Sequence, residues 1–403
     1  VTSIGTFVEV ARRIVMYSHD SYGLGHLSRT MAIAKAVVDR SPSTNVLLVT
    51  GTPRPQAFSV PNGVDLLKLP AISKSDDGAY VSRTLRLPVA DVIAFRSRLI
   101  RESVVAFEPD VVLVDHVPTG VGGELMAALA TLGGLPSKPR LVLGLRDIID
   151  DSERVRRAWD ADGSWAAIDD HYDQVLVYGD EMLRTTAVEL ELASAVRCPV
   201  EHTGYVTRGV PPRSSTRTSL PTVLVTVGGG GDGHFLLRAY ASMLAEVGSS
   251  AEFRSVVVTG PLLSPARRAE VEESLAASGA PVEILTFSSD HTRLVAEADA
   301  IVAMAGYNTT CEILASSTPA LLVPRDAPRV EQLLRAQRLA ALGFVDMATR
   351  SEVDSTRLRR FVEENLRHRS SPVDRRLRLD GADRVAELIG SPLMSNRGVP
   401  VCR

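Results

Sequence analysis

Two glycine turns and one histidine carry the strongest chemical signal in the chain. Gly23-Leu24-Gly25-His26 follows the apolar run Ile14–Ser18 and leads into the amphipathic stretch Ser28–Asp39. Glycines between a strand and a helix let a ligand approach the backbone closely. The helix N-terminus beyond them presents unpaired N–H groups and the positive end of its dipole. Ser28 is the candidate cap. An imidazole at this place, with an ordinary pKa of about 6.5, is a candidate general base at neutral pH; an ordinary loop histidine fits the same residues. The second turn, Gly228-Gly229-Gly230-Gly231-Asp232-Gly233, directly follows the apolar run Val223–Val227. It satisfies GxGxxG at Gly228, Gly230 and Gly233, which by itself is a weak dinucleotide signal. No acidic residue clearly ends the next apolar run, Ser255–Thr259, so a dehydrogenase fits poorly. Small residues at such a turn suit a phosphate or diphosphate, with a flexible glycine turn as the alternative.

The third block is Ala303–Pro324, AMAGYNTTCEILASSTPALLVP. Gly306 follows a predicted strand, Thr309 and Thr310 are candidate helix caps, and Glu312 is expected in the first helical turn. A carboxylate there complements the helix dipole; beside a phosphate loop it also suits ribose hydroxyls. Glu331 and Gln332 open a further predicted helix at the same cleft, or simply an exposed helix start. Asp115, in VDHVPTG, and Arg146-Asp147, in LGLRDIIDD, follow strands of the first half. Either aspartate is placed to orient an acceptor or His26, or to serve as a turn or cap residue. His19 and His116 read as loop residues. No Asp-x-Asp pair stands at a suitable strand end, so no metal site is predicted.

These groups need a scaffold, and the pattern of apolar runs supplies one. In the first half the predicted strands are Ile14–Ser18, Asn45–Thr50, Val64–Leu69, Asp110–Asp115, Leu141–Leu145 and Gln174–Tyr178. They are continuously apolar rather than alternating, which marks strands covered on both faces in a parallel sheet. After Val206–Thr222, a stretch rich in Pro, Ser and Thr, strands and helices alternate again to the closing helices Asp354–Arg369 and Ala382–Ile389. Val89–Ile100 reads as an ordinary surface helix. The expectation is an α/β protein with two tandem Rossmann-like, doubly wound parallel-sheet domains. Their boundaries are 1–207 and 222–390, with a linker at 208–221 and a tail at 391–403. In such folds ligands sit outside the carboxyl ends of the strands, here in the interdomain cleft.

Composition narrows the function classes. The 403 residues suit two domains. With 45 basic and 48 acidic residues there is no global basic field, so no nucleic-acid partner is expected. No apolar run reaches the roughly 18 residues that span a bilayer, and residues 1–13 do not read as a secretory signal. Cys198, Cys311 and Cys402 form neither a zinc pattern nor a disulfide framework, so a reducing cytoplasm is the expected compartment. Only Lys35, Lys68, Lys74 and Lys138 are lysines, which suggests the bias of a high-GC bacterial proteome.

The order of the blocks resembles the GT-B glycosyltransferases of the MurG-like family 28 group. The resemblance is strongest over about 220–345 and is carried by GLGHLSRT, the GGGG turn, AGYNTTCEIL…PALLVP and the Glu331-Gln332 pair. It implies an inverting, metal-independent transfer of a hexose or N-acetylhexosamine from a UDP-sugar to an acceptor hydroxyl, with no cofactor. By position it places Phe287, Ser288 and His291 at the uracil and Glu312 at the ribose. The diphosphate falls to Gly228, Gly229, Gly230 and Gly231, faced by Gly306, Asn308, Thr309 and Thr310. Glu331 and Gln332 fall to the donor sugar; the family carries Gln-Gln there, and this departure leaves the sugar open. His26 takes the place of the glycine-loop histidine, as catalytic base with Asp115. Gly23, Gly25, Arg146 and Asp147 lie on the acceptor side. The acceptor is a glycan, a lipid carrier or a natural product, with peripheral membrane contact compatible. The same opening is similar to that of a nucleotide-sugar hydrolase of the pseudaminic acid pathway, where the histidine activates water. A nucleotide-sugar hydrolase or epimerase, or an inert GT-B domain that binds a sugar nucleotide or a partner, remain as alternatives.

Overall fold

The computed structural model describes residues 11–19, 25–53, 55, 58–74, 79–214, 220–367 and 377–391; Gly23, Cys402 and much of the 391–403 tail lie outside them. The first half forms a seven-stranded parallel sheet in the order Val64–Lys68, Asn45–Thr50, Arg13–Ser18, Val111–Asp115, Arg140–Arg146, Gln174–Tyr178, Val200–His202. The second half forms a six-stranded parallel sheet in the order Val282–Leu285, Arg254–Val258, Thr222–Thr226, Ala300–Ala303, Ala320–Leu322, Asp346–Met347. Both are doubly wound, starting at a central strand and growing outward in each direction. The continuously apolar strands are the buried ones: every residue of Val111–Asp115, Gln174–Tyr178 and Thr222–Thr226 is buried.

Several elements differ from expectation for physical reasons. The first helix begins at Gly25, not at Ser28, so Ser28 is buried inside it rather than capping it. The helix after Ala300–Ala303 begins at Tyr307 with Gly306 as its cap residue. Thr309 and Thr310 therefore lie in the first turn, and Glu312 in the second. The stretch from Val89 extends to Phe107 and is not simply a surface helix. Its Arg96 is fully buried, bonded through Nε and Nη2 to Glu124 at 2.5 and 2.6 Å. The hairpin Ile72–Lys74 with Tyr80–Ser82, and the helices Ser152–Asp162 and Ser164–His171, gave no distinct apolar signal.

The halves are joined by polar contacts, of which those of Arg335 and Tyr307 are buried. Arg335, on helix Glu331–Ala341, donates from Nε and Nη2 to the two oxygens of Asp147 at 2.8 and 2.6 Å. Both side chains are essentially inaccessible. The Tyr307 hydroxyl donates to the Tyr178 carbonyl at 2.9 Å and accepts from the Val206 N–H at 3.1 Å. The last helix, Gly381–Gly390, crosses back to the first half, where Arg140 donates to the Leu388 carbonyl at 2.7 Å and Arg384 pairs with Glu201 at 2.6 Å.

Removing one partner of a buried ion pair strands the other without compensation. Arg335→Leu should therefore lower stability by roughly 3–5 kcal/mol in urea unfolding. A loss below about 1 kcal/mol, the range of an exposed pair, would mean the pair does not hold the halves together.

Candidate active site

The carboxyl ends of both central strands open into one cavity of about 370 Å³ between the halves. Gly25 and His26 line it from the first half, at the start of helix Gly25–Arg40. Asn308, on the facing helix, donates from its side-chain amide to the Gly25 carbonyl at 3.0 Å and so pins the two helix starts together.

His26 is backed by a buried carboxylate. Its Nδ1 lies 2.6 Å from Oδ2 of Asp115, at the end of strand Val111–Asp115. Arg29, one turn further along the same helix, donates to both Asp115 oxygens at 2.7 and 2.8 Å. Arg29 itself lies over the rings of Tyr307 and Tyr178, at 5.1 and 5.6 Å from their centroids. Burial would raise the Asp115 pKa, but Arg29 and His26 more than offset it and hold the carboxyl well below its usual range. For His26, burial dominates and lowers the pKa to about 4, although Asp115 pulls it upward. The imidazole is then neutral at pH 7. With the Nδ1 proton donated to Asp115, Nε2 is the nitrogen left to accept a proton.

On the opposite wall the glycine turn divides into two parts. Gly228 and Gly229 line the cavity and are exposed. Gly228 has φ +61° and open space where a side chain would begin. Gly230 and Gly231 do not line the cavity. At Gly230, with φ +90°, a Cβ would stand 2.4 Å from the Thr259 carbonyl oxygen, so this glycine serves close packing of the next loop. Gly306, Asn308 and Thr309 line the cavity at the helix start, whereas Thr310 is fully buried beneath it.

Further along, Phe287, Ser288, His291 and Glu312 line the same cavity. Glu312 is buried, with Oε2 2.6 Å from Nδ1 of His291 and Oε1 accepting from Arg208 at 2.6 and 3.1 Å. Burial raises its pKa, but His291 and Arg208 outweigh that and lower it, so the group is ionised at neutral pH. Arg146 lines the cavity from the first half. Burial lowers its pKa to about 10, with Glu331 acting in the opposite direction.

Besides Gly230, Gly231 and Thr310, three further predicted residues are placed elsewhere. Asp147 does not reach the acceptor side: it is sealed at the domain junction by Arg335, the Ile148 N–H and Tyr205. Glu331 is buried and bonded to Arg325 at 2.5 Å, and Gln332 accepts from the Arg325 N–H at 3.5 Å; neither lines the cavity. Sequence reasoning missed Arg29 and Arg208. The i, i+3 spacing of Arg29 from His26 was a readable signal, but Arg208 sits in the irregular segment between the halves and offers none. His19 and His116, read as loop residues, are buried beside His26, their ring centroids 5.6 and 5.1 Å from its own. Among the described residues no group of His, Cys, Asp and Glu is arranged to hold a metal ion. None of the helices there is long and apolar enough to cross a membrane.

Residues 222–387 match the glycosyltransferase family 28 C-terminal domain. Two bacterial relatives carry the name UDP-N-acetylglucosamine--N-acetylmuramyl-(pentapeptide) pyrophosphoryl-undecaprenol N-acetylglucosamine transferase. The protein from Anaeromyxobacter sp. is 26% identical over 94% of this chain and 90% of its own length. The protein from Histophilus somni is 26% identical over 46% of this chain, and the match spans about half, 49%, of that relative. Among solved structures the fold is shared with MurG of Acinetobacter baumannii (TM-score 0.54, 14% identity, 94% of this chain and 99% of that one). It is shared too with the calicheamicin glycosyltransferase CalG4 (TM-score 0.56, 16% identity, 94% and 95%). A putative UDP-N-acetylglucosamine 2-epimerase from Listeria monocytogenes has the same fold (TM-score 0.62, 14% identity, 94% and 96%).

The His26–Asp115 arrangement makes a direct prediction. Ring-nitrogen NMR should find His26 neutral at pH 7 and half protonated near pH 4, because burial depresses its pKa. Asp115→Asn should move that midpoint lower still, since the carboxylate is what raises it; a midpoint near the ordinary value of about 6.5 would contradict the geometry.

Proposed function

Taking as premise that the chain belongs to the MurG-like family 28 group of GT-B glycosyltransferases, we propose that it is an inverting, metal-independent transferase. It moves a hexose or N-acetylhexosamine from a UDP-sugar to an acceptor hydroxyl. The observation that supports this best is the shared cavity, which sets a carboxylate-backed neutral histidine opposite a glycine turn, a helix start and an ionised Glu312. The names of the two bacterial relatives, both N-acetylglucosamine transferases using a UDP-sugar, favour the same reading.

In this reading uracil lies along Phe287 and Ser288, and Glu312 accepts hydrogen bonds from the ribose. The diphosphate rests against Gly228, Gly229 and the N–H groups that open helix Tyr307–Ser316. Those donors are already oriented when negative charge builds on the leaving group. The sugar extends toward Arg146, with Glu331 and Gln332 behind it. Nε2 of His26 takes the acceptor proton. The acceptor oxygen forms its bond to the anomeric carbon as the bond to the diphosphate oxygen breaks, and UDP leaves with that electron pair. Attack from the face opposite UDP inverts the anomeric centre. Asp115 stabilises the imidazolium that results and Arg29 keeps Asp115 ionised. The acceptor, a glycan, lipid carrier or natural product, approaches from the first half, with the protein working in the cytoplasm or at a membrane surface.

Calorimetry with UDP, GDP and dTDP, coupled to an assay of UDP release, tests this reading. UDP should bind best, and Glu312→Ala should weaken it by about tenfold or more, the cost of about 1.4 kcal/mol of lost hydrogen bonding. With an acceptor present, His26→Ala should lower kcat by about 10²–10⁴-fold while leaving UDP affinity unchanged. Binding of none of the nucleotides would overturn the donor site. UDP release at full rate without an acceptor, lost in His26→Ala, would replace transfer by hydrolysis.

A further inference from the structure

Four charged side chains alternate in sign across the junction of the halves. Asp232, in the glycine turn, accepts from Nη1 of Arg325 at 2.7 Å, and Nη2 of Arg325 donates to Oε1 of Glu331 at 2.5 Å. Across the junction from Glu331 stands Arg146, the last residue of strand Arg140–Arg146. The pair that joins the halves brings these two together: Asp147 directly follows Arg146, and its partner Arg335 lies one helical turn after Glu331. The loop before Glu331 is tied to the first half as well. The Val330 N–H donates to Asp150 at 3.0 Å, and Arg154 donates to the Pro328 carbonyl at 2.6 Å.

Arg146 stands apart from its neighbours. Arg29 and Arg208 line the same cavity, and each is bound to a carboxylate. Arg146 lines it without an ion pair among the described residues, and its buried Nε has no hydrogen-bond partner there. Glu331 is 3% exposed, and its Oε2 is likewise buried without a partner. Buried polar atoms without partners are rare in a native protein and call for a reason. Of the charges around Arg146, Glu331 acts on it most strongly, and it does so across space rather than by contact. The four charges sum to zero, so the group that Arg146 faces in the cavity need not be an anion.

We propose that Arg146 determines donor specificity: it donates to a neutral oxygen of the donor sugar, and Glu331 behind it cancels its charge, so that the site takes a neutral hexose and turns away a hexuronate. The inference rests on the transferase reading above and deepens it. It gives a reason for a carboxylate at position 331. With glutamine there, Arg146 would be an uncompensated guanidinium, for which a carboxylate is the matching ligand. With Glu331 in place, a sugar carboxylate would lie in the field of a like charge where water is largely excluded. A hydroxyl or ether oxygen accepts from the guanidinium without that repulsion. Glu331 acts through Arg146 and is a positioning residue.

Calorimetry on the full chain tests this with UDP alone and two matched pairs of donors, UDP-glucose with UDP-glucuronate and UDP-galactose with UDP-galacturonate. Each pair differs only at the sixth carbon, as hydroxymethyl or carboxylate. Wild type should bind the neutral member about tenfold or more tightly than the acidic one in at least one pair. Glu331→Gln should reduce that preference by about tenfold, and Glu331→Asp, which keeps the charge, should retain it. The readout is a ratio on one sample, so a general weakening of nucleotide binding cancels. Arg146→Met should lower the affinity for the preferred neutral donor relative to UDP by about tenfold.

Equal or tighter binding of the uronates by wild type would overturn the proposal. So would a preference unchanged in Glu331→Gln. Equal weakening of UDP and of the neutral donor in Arg146→Met would place Arg146 on the diphosphate instead, and would overturn its role in specificity while leaving the donor site standing. Failure of wild type to bind UDP would overturn the transferase reading and this inference with it.

Discussion

Much of the site's geometry depends on one buried ion pair, Arg335 with Asp147. Two parallel sheets each present a row of loops at their carboxyl ends, but nothing in either sheet dictates that the rows face each other. Arg335 crosses from the second half and meets Asp147 just past the end of strand Arg140–Arg146, with the Ala305 and Ile148 carbonyls accepting from two more of its N–H groups. The pair is dry, so its geometry is restrictive: a small rotation of one half would strand both charges. Tyr307 lies between Arg29 and Arg335, whose guanidinium carbons are 5.1 and 5.7 Å from its ring centroid. The arginine that holds the halves together and the arginine that holds Asp115 therefore share one aromatic ring.

The state of His26 follows from a second buried pairing, that of Arg29 with Asp115. A half-buried histidine at a helix start, close to Arg29 and Arg146, gives up its proton readily. Without Asp115 it would be neutral but free to turn either nitrogen to the cavity. With Asp115 it stays neutral and the tautomer is fixed. Arg29 is needed in turn, because a carboxylate so deeply buried would otherwise favour its protonated form. The order of dependence runs from Arg29 to Asp115 to His26, and Asp115 is the one of the three that does not line the cavity.

Much of this was legible in the chain and some was not. Strands such as Asn45–Thr50 and Gln174–Tyr178 fell where the apolar runs placed them, because a strand covered on both faces has few other ways to be written. Helix starts were less readable. The helices begin at Gly25 and Tyr307, earlier than Ser28 and Thr309 suggest, since a glycine turn leaves the start to tertiary contacts such as Asn308 with Gly25. The site was readable where a motif is local, as at Gly228–Gly229 and His26. It was not readable where pairing decides the role. Asp115 ends one strand and Asp147 follows the adjacent one in similar contexts, yet one pairs with His26 and the other joins the halves. Glu331 likewise faces Arg325, a partner six residues away that the helix pattern does not reveal. His116 was hidden because its place beside His26 follows from the pairing of strand Val111–Asp115 with strand Arg13–Ser18 rather than from spacing.

The central claim is that one cavity, built by both halves, holds a UDP-sugar with its anomeric carbon before His26. A crystal structure with UDP-N-acetylglucosamine tests it most directly. The account predicts uracil along Phe287, ribose at Glu312, diphosphate against Gly228, Gly229 and Gly306–Thr309, and the His26 imidazole on the face of the sugar opposite UDP. A nucleotide bound outside this cavity, or a sugar turned away from His26, would contradict it.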